Sequence, residues 1–307
     1  MKRCIILVLL IGLGVLSLAV VAQDEPKVIE VEQLEDNLFV LRGDGGGGNT
    51  AVFVTTNGVV VVDTKNPGWG QPILEQIGEL TRNPVTTLIN THSHGDHVSG
   101  NVAFPATVEF VAHETTKANM EVMRPYTGRT EPPLNVFDGT NGRGLPTRTF
   151  ADRLSIGSGT DQVDLYYFGR AHTGGDAWVV FPSLRTLHAG DAFLGKRVPF
   201  LDAANGGSGV AIPDTLQKAH DTIRNVGTII TGHSTQATWA DLNEWAAFNR
   251  DFLNMVRAGR SAGRTADEIA STWTIPAKYA GYDPPNSAGV RRNIQVIIDE
   301  LDGNNAR

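Results

Sequence analysis

Three histidines and one aspartate fall within six residues of THSHGDHVSG, residues 91–100, in a 307-residue chain with only eight histidines. A lone histidine is usually a packed polar residue that found a hydrogen bond. Three imidazoles and a carboxylate crowded into one short stretch suggest metal binding, because both are ordinary ligands for zinc. Histidines two apart at a strand end converge if the chain turns, and Gly95 permits the turn. Three further residues of ligand type stand downstream: His172 in GRAHTGGD, Asp191 in LHAGDAF and His233 in TGHST. Gly174 and Gly175, Gly190, and Gly232 flank them, as expected where backbone approaches a ligand closely. With His92, His94, Asp96 and His97 they make five histidines and two aspartates, enough for two metal sites.

Such residues need rigid elements to hold them. VTTLINT (85–91) is a β-branched run that delivers the chain into His92. Before it, VIEVEQLE (28–35) and NLFVLRG (37–43) alternate like strands. TAVFVTT (50–56) and VVVVDT (59–64), joined at Asn57-Gly58, read as a hairpin, and QPILEQIGELTR (71–82) has helical spacing. After it, EFVAH (109–113) reads as a strand and ETTKANMEVM (114–123) as a helix. TDQVDLYYFG (160–169), AWVVFP (177–182), LRTLHAGD (184–191) and TIITG (228–232) read as strands, so His172, Asp191 and His233 each lie where a strand meets a loop. Residues near 213–225 and most of the chain beyond Asp241 read as helical. Strands and helices alternate in two blocks, which predicts sheets covered by helices. Residues 124–148 carry neither period, and such a loop in a compact domain is often a functional lid, with Tyr126 and Phe137 as its expected lining. The glycine run 45–48 lacks the Gly-Lys-Ser/Thr of a phosphate loop and reads as a flexible hairpin bordering the cleft.

The chain begins MKR and continues CIILVLLIGLGVLSLAVVA. This reads as a secretory signal peptide over residues 1–22, leaving 23–307 as a single domain with C-terminal helices, in the periplasm or outside the cell. An uncleaved anchor is the competing reading, since the apolar run is nearly long enough to span a bilayer. Gly12, Gly14 and the small residues near Ala22 favour cleavage. The 26 Lys and Arg against 33 Asp and Glu give a formal net charge of −7, and losing Lys2 and Arg3 makes the remainder more acidic. An acidic chain is a poor general binder of nucleic acid or anionic membrane, so a small-molecule substrate is expected. The one cysteine, Cys4, leaves with the signal, and with it any disulfide, thiol nucleophile or thiolate ligand. A metal must then be held by His, Asp and Glu alone.

His92-Ser93-His94-Gly95-Asp96-His97, followed by Gly100, matches an HxHxDH signature, and His172, Asp191 and His233 follow in matching order and with similar spacing. From Val28 to His233 the chain resembles the metallo-β-lactamase superfamily. The resemblance implies an α/β fold, a four-layer αββα sandwich with metals at one edge between the sheets. It implies that His92, His94 and His172 hold a first metal, that Asp96, His97 and His233 hold a second, and that Asp191 bridges them. Asp63, ending VVVVD, matches an aspartate that braces the metal loop. Two zinc ions ~3.5–4 Å apart can share a hydroxide, since bound water has its pKa lowered to about 7. Asp96 would orient that nucleophile and carry a proton to the leaving group.

The expectation is an exported hydrolase with two zinc ions per chain, acting on an ester, lactone, thioester, β-lactam or similar bond. An aspartate at Asp191 is similar to the glyoxalase II, lactonase and phosphodiesterase branches, whereas β-lactamases carry cysteine or serine there. A β-lactamase proper is therefore an alternative. A second is an iron-dependent oxidoreductase of the same fold, persulfide dioxygenase-like, because related branches use iron. A non-catalytic binding protein is the third, and retention of all seven ligand-type residues argues against it. Lys196 and Arg197 are candidates to reach a substrate carboxylate, and Asn205 to donate to a developing oxyanion. Solvated loop charges and a turn former are the competing readings. His113, His188 and His220 fall outside the pattern and read as structural or exposed.

Overall fold

The computed structural model describes residues 27–304, so the signal-peptide expectation for residues 1–22 lies outside the described residues. Seven strands form the first sheet, side by side in chain order: β1 (Glu30–Glu35), β2 (Leu38–Arg42), β3 (Thr50–Thr55), β4 (Gly58–Val62), β5 (Val85–Ile89), β6 (Glu109–His113) and β7 (Arg148–Phe150). Strands β1 to β4 pair antiparallel, and β4 to β7 pair parallel. The second sheet holds β8 (Arg153–Ile156), β9 (Val163–Tyr166), β10 (Trp178–Phe181), β11 (Thr186–His188) and β12 (Thr228–Ile230), in the spatial order β12-β11-β10-β9-β8. Its pairs are antiparallel except for β11 with β12. The helices α1 (Gly70–Leu80), α2 (Gly95–Val98) and α3 (Glu114–Val122) precede the second sheet. After its first four strands come α4 (Ile212–Thr222), α5 (Trp239–Ser261), α6 (Ala266–Thr272) and α7 (Ser287–Leu301), with β12 between α4 and α5.

Side-chain alternation along the strands makes the layers. Val60 and Val62 point inward with Leu38, Val40 and Phe53, and meet Val163, Leu165, Val179 and Phe181 of the facing sheet. Val59 and Val61 point the other way, onto Ile73 and Ile77 of α1. In the second sheet Trp178, Val180, Leu187 and Ile229 turn outward against Leu216 of α4, Trp245 of α5 and Ile297 of α7. The order helix, sheet, sheet, helix is the expected αββα sandwich. Fully burying one Val, Leu or Phe contributes about 1.5–3 kcal/mol, so the frame's stability rests chiefly on these three apolar layers.

Three local expectations change. No strand was expected over 148–156, yet β7 ends the first sheet, β8 edges the second, and the chain crosses between them at Ala151 and Asp152. The two strands have only three and four residues, too few for a pattern to be read, although Phe150, Leu154 and Ile156 do turn toward the core. Phe137 does not line a lid: it is buried with Val98, Met120 and Met123 beneath the metal loop. The glycine run is no loose hairpin, because Gly48 N–H donates to Asp96 O at 3.0 Å and the loop lies directly on His97. A Cβ on Gly48 would stand 2.2 Å from His97 Cε1, so only glycine fits there.

Candidate metal centre

Strand β5 ends at Ile89 and its continuation carries His92 and His94 into α2, whose first turn holds Asp96 and His97. His172 comes from the loop between β9 and β10, Asp191 follows β11, and His233 follows β12. All seven meet at one edge of the sandwich. His92, His94, His172 and Asp191 offer ligand atoms within 4.8 Å of one another, as do Asp96, His97 and His233. Asp191 stands between the two sets. Its Oδ1 is 3.3 Å from His97 Nε2, while its Oδ2 is 3.2 Å from His233 Nε2 and 3.7 Å from His172 Nε2. Gly232 makes room for it, since a Cβ there would sit 1.9 Å from Asp191 Oδ1.

The atoms behind the rings decide which nitrogens face inward. Asp63 accepts from Thr91 N–H at 2.8 Å and the Thr91 hydroxyl at 2.7 Å, and its Oδ2 lies 2.7 Å from His97 Nδ1. With its oxygens so engaged, Asp63 braces His97 rather than offering a ligand atom, although it lies within ligand range of His92 and His97. Asp63 adopts φ 62, an uncommon left-handed backbone for a non-glycine residue. His172 Nδ1 donates to Phe200 O at 2.6 Å, and His94 Nε2 meets Asp202 Oδ2 at 2.7 Å. His172 Nε2 and His94 Nδ1 are thereby left facing each other at 3.1 Å. In neutral rings those two atoms are both lone pairs, which repel unless a cation lies between them. His97 Nε2 and His233 Nε2 likewise face each other at 3.2 Å, and His92 Nε2 is buried without a hydrogen-bond partner.

The electrostatics point the same way. Burial, then the neighbouring His97 and His172, push the His92 pKa well below the ordinary histidine value, keeping the ring a neutral donor. Burial also disfavours charge on His97, but the carboxylates of Asp191, Asp96 and Asp63 outweigh it and raise that pKa well above normal. Burial pushes Asp191 up, yet His233 and His97 hold it well below the carboxylate range. A neutral His92 and an ionised Asp191 suit a divalent cation, which would displace the proton that the carboxylates draw onto His97.

A cavity of about 940 Å³ opens over the cluster, with His94, Asp96, Asp191 and His233 at its floor. Tyr126 lines it as expected: its ring lies 4.2 Å from that of His94, and its hydroxyl accepts from Gly95 N–H at 2.8 Å. Lys196 does not line it, because its ammonium is held by Asp241 at 2.7 Å and Glu244 at 3.2 Å; Arg197 does. Asn205 is buried away from the cavity, and its amide donates to Asp202 Oδ2 at 2.7 Å, so it is no oxyanion donor. Sequence reasoning missed Asp202 itself, whose other oxygen accepts from the N–H and hydroxyl of Thr127, both at 2.8 Å. It also missed the wall contributed by Asp283–Arg292, whose sequence carries no ligand-type cluster. Of the remaining histidines, His113 caps α3, His188 Nε2 donates to Asn49 O at 3.2 Å, and His220 stacks on Trp239.

A family model described as the metallo-beta-lactamase superfamily matches residues 43–233, which include every residue of the cluster. A metallo-beta-lactamase type 2 from Elizabethkingia meningoseptica is 26% identical over 249 residues, 76% of this chain and 88% of the relative. A hydroxyacylglutathione hydrolase from Nostoc punctiforme is 25% identical over 209 residues, 66% of this chain and 64% of its own length. Among solved structures, a metallo-beta-lactamase from Pontibacter korlensis superposes with a TM-score of 0.58 at 18% identity, covering 73% of this chain and 99% of that one.

Proposed function

This chain belongs to the metallo-beta-lactamase superfamily, and on that premise we propose that it is a hydrolase holding two zinc ions. The observation that carries the reading is the position of Asp191, whose carboxylate stands between the two sets of ligand-type residues, 3.2–3.3 Å from His97 and His233 and 3.7 Å from His172. His92, His94 and His172 would hold one ion, Asp96, His97 and His233 the other, with Asp191 shared. When bound, the ions supply Lewis acidity, polarising the scissile group's oxygen and lowering the pKa of water to about 7.

The chain's own residues supply the rest. Asp96 is partly open to the cavity and orients the attacking water, takes its proton and passes it to the leaving group. Burial pushes the Tyr126 pKa up to about 12, so its hydroxyl stays protonated at the cavity wall. With its oxygen already accepting from Gly95, its hydrogen is free to donate where negative charge develops. The substrate is a small molecule bearing an ester, lactone, thioester, β-lactam or similar bond. Relatives named for β-lactam and hydroxyacylglutathione chemistry support that range without choosing within it. Elemental analysis together with a panel of β-lactam, lactone, thioester and phosphodiester substrates tests the reading. No hydrolysis by fully zinc-loaded protein would overturn it.

The thiolate-free donor set supports a second reading, an iron-dependent oxidoreductase, because imidazole and carboxylate suit iron as well as zinc. Iron in protein made without added metal, with oxygen consumed on a persulfide, would decide for it. Residues 1–22 would direct export to the periplasm or beyond. An exported product whose intact mass begins at Gln23 supports this, and full-length chain in the membrane fraction overturns it.

A further inference from the structure

Away from the metal centre, α5 carries Phe248, Asp251, Phe252 and Met255 on one face, at helical spacing. The chain after α6 turns back over that face. Trp273 follows the helix directly, and Tyr279 N–H closes a turn onto Pro276 O at 2.9 Å. Between the two segments lies a cavity of about 140 Å³, lined by the four side chains of α5 together with Trp273 and Tyr279. Interiors leave few voids larger than one water, ~30 Å³, so this space exceeds ordinary packing slack. None of its lining residues belongs to the cavity over the metal centre, and all lie beyond the matched family region of residues 43–233.

Aromatic rings wall it. Trp273 stands at 83° to Phe252, with centroids 5.2 Å apart, and at 72° to Phe248. Tyr279 stands at 81° to Phe248, at 5.0 Å. Trp273 and Tyr279 each cross Phe248 without pairing with one another among the described residues, which makes an open box rather than a stack. Ring faces carry partial negative charge and attract cations. Asp251 adds a full charge at the rim, where its Oδ2 accepts from the Tyr279 hydroxyl at 2.6 Å and lies 2.6 Å from Lys278 Nζ. The bonds from Lys278 and Tyr279 hold its pKa below the ordinary carboxylate value. Lys278 is mostly exposed, does not line the cavity, and sets its ammonium 5.0 Å from the Tyr279 ring centroid. The corner thus already draws one cation, a primary ammonium that stays in water at the carboxylate.

We propose that this aromatic box binds a small solute with a trimethylammonium head, which displaces Lys278 from Asp251. A primary ammonium entering the box would take three N–H donors out of water to meet one carboxylate. A methylated head has no N–H to satisfy, so it gives up little hydration and gains the ring faces. A free solute suits the surroundings better than a lipid headgroup. The large exposed apolar side chains among the described residues are Val28, Val31, Val122 and Leu134, and none of them lines this cavity to enter a bilayer. The assignment is independent of the hydrolase reading, since it uses no residue of the metal centre.

The test titrates the protein calorimetrically with choline, with the neutral alcohol in which tert-butyl replaces trimethylammonium, and with ethanolamine, the primary-amine counterpart. Choline should bind at least about 10-fold tighter than either. Trp273→Leu keeps an apolar wall without a ring and should lose that preference, whereas Trp273→Phe should keep part of it. Lys278→Ala should tighten choline binding about 3-fold, because the resident ammonium no longer competes for Asp251. Lys278 is exposed, so this variant keeps the fold and decides the matter should Trp273→Leu unfold. No binding of choline, equal affinity for choline and its neutral counterpart, or weaker choline binding by Lys278→Ala would overturn the assignment. So would capture by phosphatidylcholine vesicles without binding of free choline.

Discussion

Asp202 Oδ2 sits 2.7 Å from His94 Nε2, and this contact turns His94 Nδ1 toward the cluster. The two residues are 108 positions apart, and Asp202 is itself held by Thr127 and Asn205. Burial pushes the Asp202 pKa up, but the bonds from His94, Thr127 and Asn205 hold it well below the ordinary range. It is therefore an ionised acceptor that fixes the His94 tautomer.

Asp202→Ala should weaken metal binding by about 10–100-fold, the usual cost of losing a carboxylate behind a ligand histidine. Asp202→Asn keeps one acceptor oxygen and should fall between. Competition with a chelator measures both; wild-type affinity in Asp202→Ala would show that His94 needs no brace.

Asp191→Asn keeps the shape of the side chain and removes its charge. Metal content should drop from about two toward about one per chain, with a large loss of turnover, because the shared geometry needs both ions. Added zinc should partly rescue it, since the other ligands remain. Two tightly held metals and normal rates would show that Asp191 is not shared.

His113→Ala, by contrast, should spare metal content and lower stability. His113 Nδ1 accepts from Thr115 N–H at 3.2 Å at the start of α3, and its ring stacks 4.0 Å from that of Tyr167. A lost helix cap costs about 1 kcal/mol and a lost aromatic pair about 0.5–1.5 kcal/mol, so unfolding should come several degrees earlier. Loss of metal at full stability would place His113 in the site instead.

Lys65 gives a pH signature. It is fully buried and donates to Gly48 O at 2.6 Å. Burial, then the charge of Arg42, push its pKa down from 10.5 to about 8, against Asp63 and Asp96. Between those values the unfolded chain keeps a proton that the folded chain has lost, so stability rises as pH climbs through that window. Below pH 8 both forms are charged and the penalty, about 3 kcal/mol, is constant. Denaturant unfolding should move in favour of wild type over Lys65→Met by up to about 3 kcal/mol between pH 8 and pH 10.5. A flat difference would mean that Lys65 titrates as it does in the unfolded chain.

The ligand-type residues were legible because the signal is local: four of them fall within six positions, and the other three follow β9, β11 and β12 in loops marked by glycines. The layers were legible for the same reason, since Val59 to Val62 are buried on both faces of their sheet. Asp202 was not, because what it does depends on a contact with His94 that no spacing encodes. Asn205 misled for a related reason: a turn asparagine can face a substrate or a neighbouring carboxylate, and only packing chooses. β7 and β8 were invisible because three and four residues are too few to carry a readable alternation.

The crossing at Ala151 and Asp152 divides ownership of the centre. His92, His94, Asp96 and His97 belong to the chain before it, and His172, Asp191 and His233 to the chain after it. Neither half owns a complete donor set for either proposed ion, so a metal seated there would act as a clasp across the seam between the sheets. Tight metal uptake would then report that the two halves are docked on one another. Chelation would loosen that edge of the seam, while the apolar layer between the sheets, from Val60 and Val62 to Val179 and Phe181, holds the rest of it.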